Sequence, residues 1–156
     1  MFKKILVCLD GSRLAEQVLP YATEEALHFG SRLVLLQVVP PPTTIITPAV
    51  PGVPAMPVSP KTLIESVQRE ESAARAYLES AAGLIRAKGI KVDAVTLQGP
   101  VGETIVSYAR DNKIDLIALA THGRSGVGRA VLGSIADYVM KASGLPILII
   151  RPKKEG

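Results

Sequence analysis

Tryptophan is absent from this chain, phenylalanine occurs twice and cysteine once. With so few aromatic rings the core has to be aliphatic, built from Val, Ile, Leu and Ala, a palette that suits buried parallel strands covered by helices. A lone Cys8 excludes an intrachain disulfide framework and agrees with a reducing compartment. Its place in an apolar strand gives it a packing role. No run of five or more basic residues occurs, and a net charge of +4 reads as a solvated surface. The aromatics that would stack on bases are missing too, so nucleic acid is not an expected partner. Nor is a membrane: the N-terminal apolar stretch is only about five residues long, against the roughly 20 of a spanning helix. The reading is a soluble, cytoplasmic protein. Its 156 residues suit one domain, 1–156, and one principal site.

What is present is an alternation of short apolar runs and helical patterns. Ile5-Leu6-Val7-Cys8-Leu9, closed by Asp10-Gly11-Ser12, reads as a strand buried on both faces. Ser12 can cap a helix running to Gly30, with Pro20 expected to kink it or remove one of its hydrogen bonds and so to interrupt its continuity. Leu33 to Val39 is a second strand. Residues 40–60 then gather eight of the 12 prolines with almost no charge, an irregular loop that is either a mobile excursion or a lid or partner surface. From Lys61 to Lys88 a helix follows, with Leu63, Ile64, Val67, Ala74, Tyr77, Leu78, Ala81, Leu84 and Ile85 marking its apolar face. Val92 to Leu97 is a more polar strand, suited to a sheet edge. A helix from Gly102 to near Asn112, a buried strand Asp115–Ala120, a helix Val131–Met140 and a last strand 146–151 complete the chain.

Helices thus separate all five strands, which implies an α/β, mostly parallel sheet with helices on both faces, a three-layer Rossmann-like domain. Ligands of such sheets bind beyond the carboxyl ends of the strands. The segments after Leu9, Val39 and Ala120 are therefore the places to search.

After the fourth strand the chain reads ATHGRSGVGRAVLGS, dense in glycine. Glycines let backbone N–H groups approach an anion, and Gly133-Ser134 would add the unpaired N–H groups of a helix start. Arg124 or Arg129 can neutralise outer phosphates. A flexible loop has the same composition. The strand before and the helix after favour a phosphate-binding turn, and neither GxxxxGK[ST] nor a complete GxGxxG occurs.

THGRSGVGRAVLGSIADYVMKASGLPILIIRP, with ILVCLDGS at the start and LVLLQVV in the second strand, resembles the universal stress protein family over nearly the whole chain. The departure is the proline-rich insertion. The family's nucleotide-binding subgroup carries Gly-x-x-Gly, nine residues, then Gly-Ser or Gly-Thr. Gly123 and Gly133-Ser134 fit that pattern, while Ala120 stands in the first glycine position. The added methyl is tolerated if the backbone there is ordinary strand and excluded if φ is positive.

The resemblance implies a sheet in the order 3-2-1-4-5 and a binder of ATP with Mg²⁺, or Mn²⁺ in its place. Asp10 would lie at the phosphate or metal end. The backbone of Val38 would meet adenine, with Gly123, Gly133, Ser134 and Ile135 around ribose and phosphates, and Leu9 and Leu119 lining the pocket. Ser12, Ala120, His122, Arg124 and Gly126 complete the candidate set. It further implies a homodimer through strand 146–151.

Bland roles stand beside these. Asp10 can form an Asx turn as well as hold Mg²⁺. His122 can brace its turn, and it has no second histidine or cysteine nearby for a metal site. Ser12 and Ser134 lack a partner base, so catalysis is unsupported and any ATP hydrolysis would be slow and incidental. The alternatives are an AMP or cyclic-AMP binder of the same fold, or a dimeric interaction protein that binds no nucleotide.

Overall fold

The computed structural model describes residues 1–42, 59–121 and 133–153. Five strands form one sheet: β1 (Lys4–Leu9), β2 (Arg32–Val39), β3 (Val92–Gln98), β4 (Leu116–Ala120) and β5 (Ile147–Ile150). Their order is β3-β2-β1-β4-β5 and all four pairings are parallel, as the alternation of strands and helices required. Ile5, Leu6 and Val7 in the central strand are fully buried because helices cover both faces. Alternate residues serve different cores: Ile5, Val7, Leu33 and Leu35 pack towards α1 (Arg13–Glu16), α2 (Val18–Phe29) and α3 (Pro60–Arg86). Leu6, Val34, Leu36 and Ile117 pack towards α4 (Val101–Asp111) and α5 (Ser134–Ala142). The polar strand β3 does lie at an edge.

Several boundaries differ from the sequence expectation. The helix after Ser12 does not kink at Pro20; it breaks at Gln17, between α1 and α2. A proline in a helix interior removes the bond to the residue four earlier and clashes with that carbonyl, so the break falls three residues upstream. Pro20 then sits in the first turn of α2, where its missing N–H is not needed. The Gln17 side-chain amide clamps the Lys153 backbone: Nε2 donates to the Lys153 carbonyl at 2.8 Å and the Lys153 N–H donates to Oε1 at 2.9 Å.

The expected loop 40–60 falls largely outside the described residues, except that Pro60 is the first residue of α3, a position that suits proline. At 27 residues α3 spans about 40 Å, against about 25 Å for its neighbouring strands. Only its second half reaches the core, through Ala74, Leu78, Ala82 and Ile85. Ile64 and Leu84, expected on the apolar face, are exposed, whereas Ala82 takes the core position. The expected α5 start at Val131 lies outside the described residues; the helix begins at Ser134 and continues past Met140 to Ala142. Asp115, expected to open β4, instead precedes it and uses its carboxylate to accept the backbone N–H groups of Lys3 and Lys4, 2.9 Å each.

Candidate functional site

At the carboxyl end of the sheet, Asp10, Gly11 and Ser12 turn the chain out of β1. Asp10 Oδ1 accepts the Ser12 N–H at 2.9 Å, the Asx turn anticipated for it. Gly11 has φ +82°, a backbone conformation that disfavours any side chain. Ser12 Oγ in turn accepts the Ala15 N–H at 3.1 Å and caps α1. Ser12 therefore serves the helix and does not line the cavity beside it.

That cavity, about 260 Å³, lies between β1, β2, β4 and the start of α5. Leu9 and Asp10 line it from β1 and its exit, Val38 from β2, and Leu119 and Ala120 from β4. Gly133, Ser134 and Ile135 close the far side. Eight of the residues singled out in the sequence thus meet around one space. His122, Gly123, Arg124 and Gly126 lie outside the described residues, as does Arg129.

Gly133 is the N-cap of α5, with φ −57° and ψ 150°, so its backbone does not require glycine, and a Cβ there would meet nothing within 4 Å. What glycine supplies is open space beside the first N–H groups of the helix. As a glycine, the N-cap residue has no side chain to bond them. Those donors have no partner within the helix and carry the positive end of its dipole, which favours an anion.

Ala120 is the last residue of β4, paired in register with Ile150, while the Thr121 N–H donates to the Ile150 carbonyl at 2.9 Å. Its φ is not positive, so the methyl in the first glycine position introduces no backbone strain. Beneath the cavity, burial pushes the Cys8 thiol up to about 12. Part of Cys8 faces the cavity, yet its sulfur is neutral at physiological pH and acts as floor.

The sequence reading missed part of the lining: Ala15 from α1, Leu36 from β2, and Val101 and Ile105 from α4. Leu36 had a signal, since β2 alternates faces and it shares one with Val38. Val101 and Ile105 had none, because only packing of α4 against β2, β3 and α5 brings them there.

A sequence model of the universal stress protein family matches residues 1–151. The chain belongs to the universal stress protein family. It is 31% identical to the universal stress protein MJ0531 of Methanocaldococcus jannaschii, covering 99% of this chain and 86% of that one. A universal stress protein of Thermus aquaticus is 32% identical, covering 97% and 100%. Among solved structures, protein MJ0577 superposes with a TM-score of 0.80 at 24% identity over 99% of each chain. Other universal stress proteins with the same fold are described with a nucleotide bound. One holds cAMP (TM-score 0.64, 18% identity, 97% and 98% of the two chains). Another, from Arabidopsis thaliana, holds AMP (TM-score 0.61, 16% identity, 97% and 92%).

Proposed function

We propose that residues 1–156 act as a single adenine-nucleotide-binding module of the universal stress protein family, with ATP as ligand and a stress or signalling role. The observation that carries this reading is one cavity with two chemically distinct ends. Leu36, Val38, Ile105 and Leu119 make an apolar floor suited to a base, and the start of α5 at Gly133-Ser134 is suited to phosphate. Related structures that hold cAMP and AMP support the choice of adenine.

Asp10 stands at the rim as the carboxylate for Mg²⁺, or Mn²⁺, arriving with ATP. Among the described residues no group of three His, Cys, Asp or Glu side chains gathers, so a metal would take most of its oxygen ligands from phosphate and water, which is how Mg²⁺ is commonly held. Bound there, the ion would neutralise phosphate charge beside Asp10.

Calorimetric titration with ATP, AMP and cyclic AMP, each with and without Mg²⁺, tests the assignment. Saturable heat with ATP tightest and strengthened by Mg²⁺ is the expected outcome. Tighter AMP or cyclic AMP would reassign the ligand, and no heat together with no melting shift at millimolar nucleotide would overturn the reading.

The module works as a homodimer in the cytoplasm, joined through 146–151. β5 is an edge strand of four apolar residues, all only half-buried, the kind of edge that pairs with a second copy. Ile149→Lys should give monomers in sedimentation, and unchanged dimers would place the seam elsewhere. Among the described residues no helix is long and apolar enough to cross a membrane.

A further inference from the structure

The amino end of the sheet lies about 20 Å from the first cavity, the length of the six residues of β1. The Arg32, Leu33 and Asp115 N–H groups donate there to the Lys3, Lys91 and Lys4 carbonyls, which brings the starts of four strands side by side. Helices α2 to α5 finish at the same end. Residues 1–4, 28–32, 86–93, 110–115 and 141–147 make up this end, all of them described, and hold nine Lys and Arg against three Asp. That excess is larger than the net charge of +4 of the whole chain, so the remainder is slightly acidic. No run of basic residues announces it, because the cations come from five separate segments.

The arginines are paired: Arg32 with Asp93, Arg86 with Glu79, and Arg110 with Asp111. Lys3, Lys88, Lys91 and Lys113 are exposed and form no ion pair among the described residues. Offsetting of helix dipoles accounts for cations at helix ends, such as Arg86, Arg110 and Lys141. It does not account for Lys3 and Lys91, which stand before strands, where the dipole is small. Lys113 is set apart by its backbone. Beyond α2, α3 and α5 the chain turns at Gly30, Gly89 and Gly144, all at positive φ, whereas beyond α4 it turns at Lys113 with φ 53°. Glycine suits that conformation better than any side chain, so the lysine sits there at a cost to the fold.

A recess of about 610 Å³ opens at this end, lined by Lys3, Lys4, Arg32 and Lys91 and, on its apolar side, by Leu27, with no acidic residue in the lining. Leu27 is 49% exposed and Phe29 39%. We propose that the amino end docks on an anionic phospholipid surface, with its lysines against the headgroups and Leu27 and Phe29 at the headgroup boundary. Lysines are point charges without the fork by which arginine grips a single phosphate, and cations spread over four strand starts match a charged plane. Exposed apolar side chains beside the cations suit the boundary between headgroups and acyl chains. Such docking needs no spanning segment.

The test is cosedimentation of the full-length protein with vesicles of phosphatidylcholine containing about 30% phosphatidylserine, against pure phosphatidylcholine. Binding should favour the anionic vesicles at least about tenfold and fall steeply between about 0.1 and 0.5 M salt. The double variant Lys3→Glu/Lys91→Glu should lose at least about tenfold. Lys113→Gly should raise the melting temperature and yet weaken vesicle binding about threefold to fivefold, a combination that a purely structural lysine would not give. Leu27→Ser should weaken binding about threefold without changing its salt dependence. All these variants should keep nucleotide affinity within about twofold, so failure here is distinct from failure of the nucleotide assignment. Equal binding to both vesicles, undiminished binding by the double variant, or tighter binding to a DNA duplex of about 20 base pairs at the same salt overturns the proposal.

Discussion

At the amino end of the sheet Asp115 receives the backbone N–H groups of Lys3 and Lys4, the Ser31 hydroxyl donates to the Phe2 carbonyl, and Lys4 Nζ reaches the Asn112 carbonyl at 3.2 Å. At the carboxyl end the corresponding acid, Asp10, turns the chain out of β1 by accepting the Ser12 N–H, and the N-cap of α5 is Gly133, which has no side chain of its own. The same residue type ties two chain segments together at one end and lines the first cavity at the other. Parallel strands account for the asymmetry: helices begin at the carboxyl end and present N–H groups there, whereas they finish at the amino end, which is tied together by the chain itself.

The largest effect should come from the structural end. Asp115→Ala leaves two backbone donors unpaired and should cost on the order of 2–3 kcal/mol in denaturant unfolding, with nucleotide affinity unchanged. A loss of binding in this variant would dissolve the distinction between the ends.

Next is the pH dependence of the cavity floor. Cys8 ionises near 9.0 when unfolded and near 12 when folded, so its thiol is neutral in both states below pH 9 and stability is fully present there. Above that pH only the unfolded chain loses the proton, and stability should fall, by on the order of 2 kcal/mol at about pH 10.5. Cys8→Val should remove this component. Parallel urea titrations of both proteins from neutral to alkaline pH would reveal it, and superimposable pH profiles would mean that the floor is wetter than its packing indicates.

At the ligand end, Gly133→Val should weaken ATP at least about tenfold by blocking approach to the α5 N–H groups, while the melting temperature moves little, since the backbone is extended and the space open. Retained affinity would put the phosphates elsewhere. The smallest change is Ala120→Gly, which should alter affinity by no more than about threefold, because the residue is extended and its methyl costs no strain. A larger gain on calorimetric titration would show that the methyl crowds the ribose.

Much of this was legible in the residues. Leu9, Asp10, Val38, Leu119, Ala120, Gly133, Ser134 and Ile135 followed from the family resemblance laid over the predicted strand ends and the glycine motif, and all line the first cavity. Strand ends and helix starts are local features, written in apolar runs and punctuated by glycine, so they can be read along the chain. Ser12 was read both as a helix cap and as a candidate at the nucleotide; the cap is present, through the Ala15 N–H. The effect of Pro20 falls at Gln17 because proline acts on the turn before it.

The sequence alone determined the alternation of strands and helices, the parallel sheet that follows from it, and the end at which a ligand site belongs, because each rests on local periodicity and on the reach of a crossover. Tertiary structure decided the rest. It brought Val101 and Ile105 of α4 over the floor, turned Ile64 and Leu84 of α3 to solvent, and gathered Lys3, Lys4, Arg32 and Lys91 around one recess at the amino end. Those outcomes depend on how far each helix overhangs the sheet and which strand face it covers, distances set by packing between segments remote in sequence.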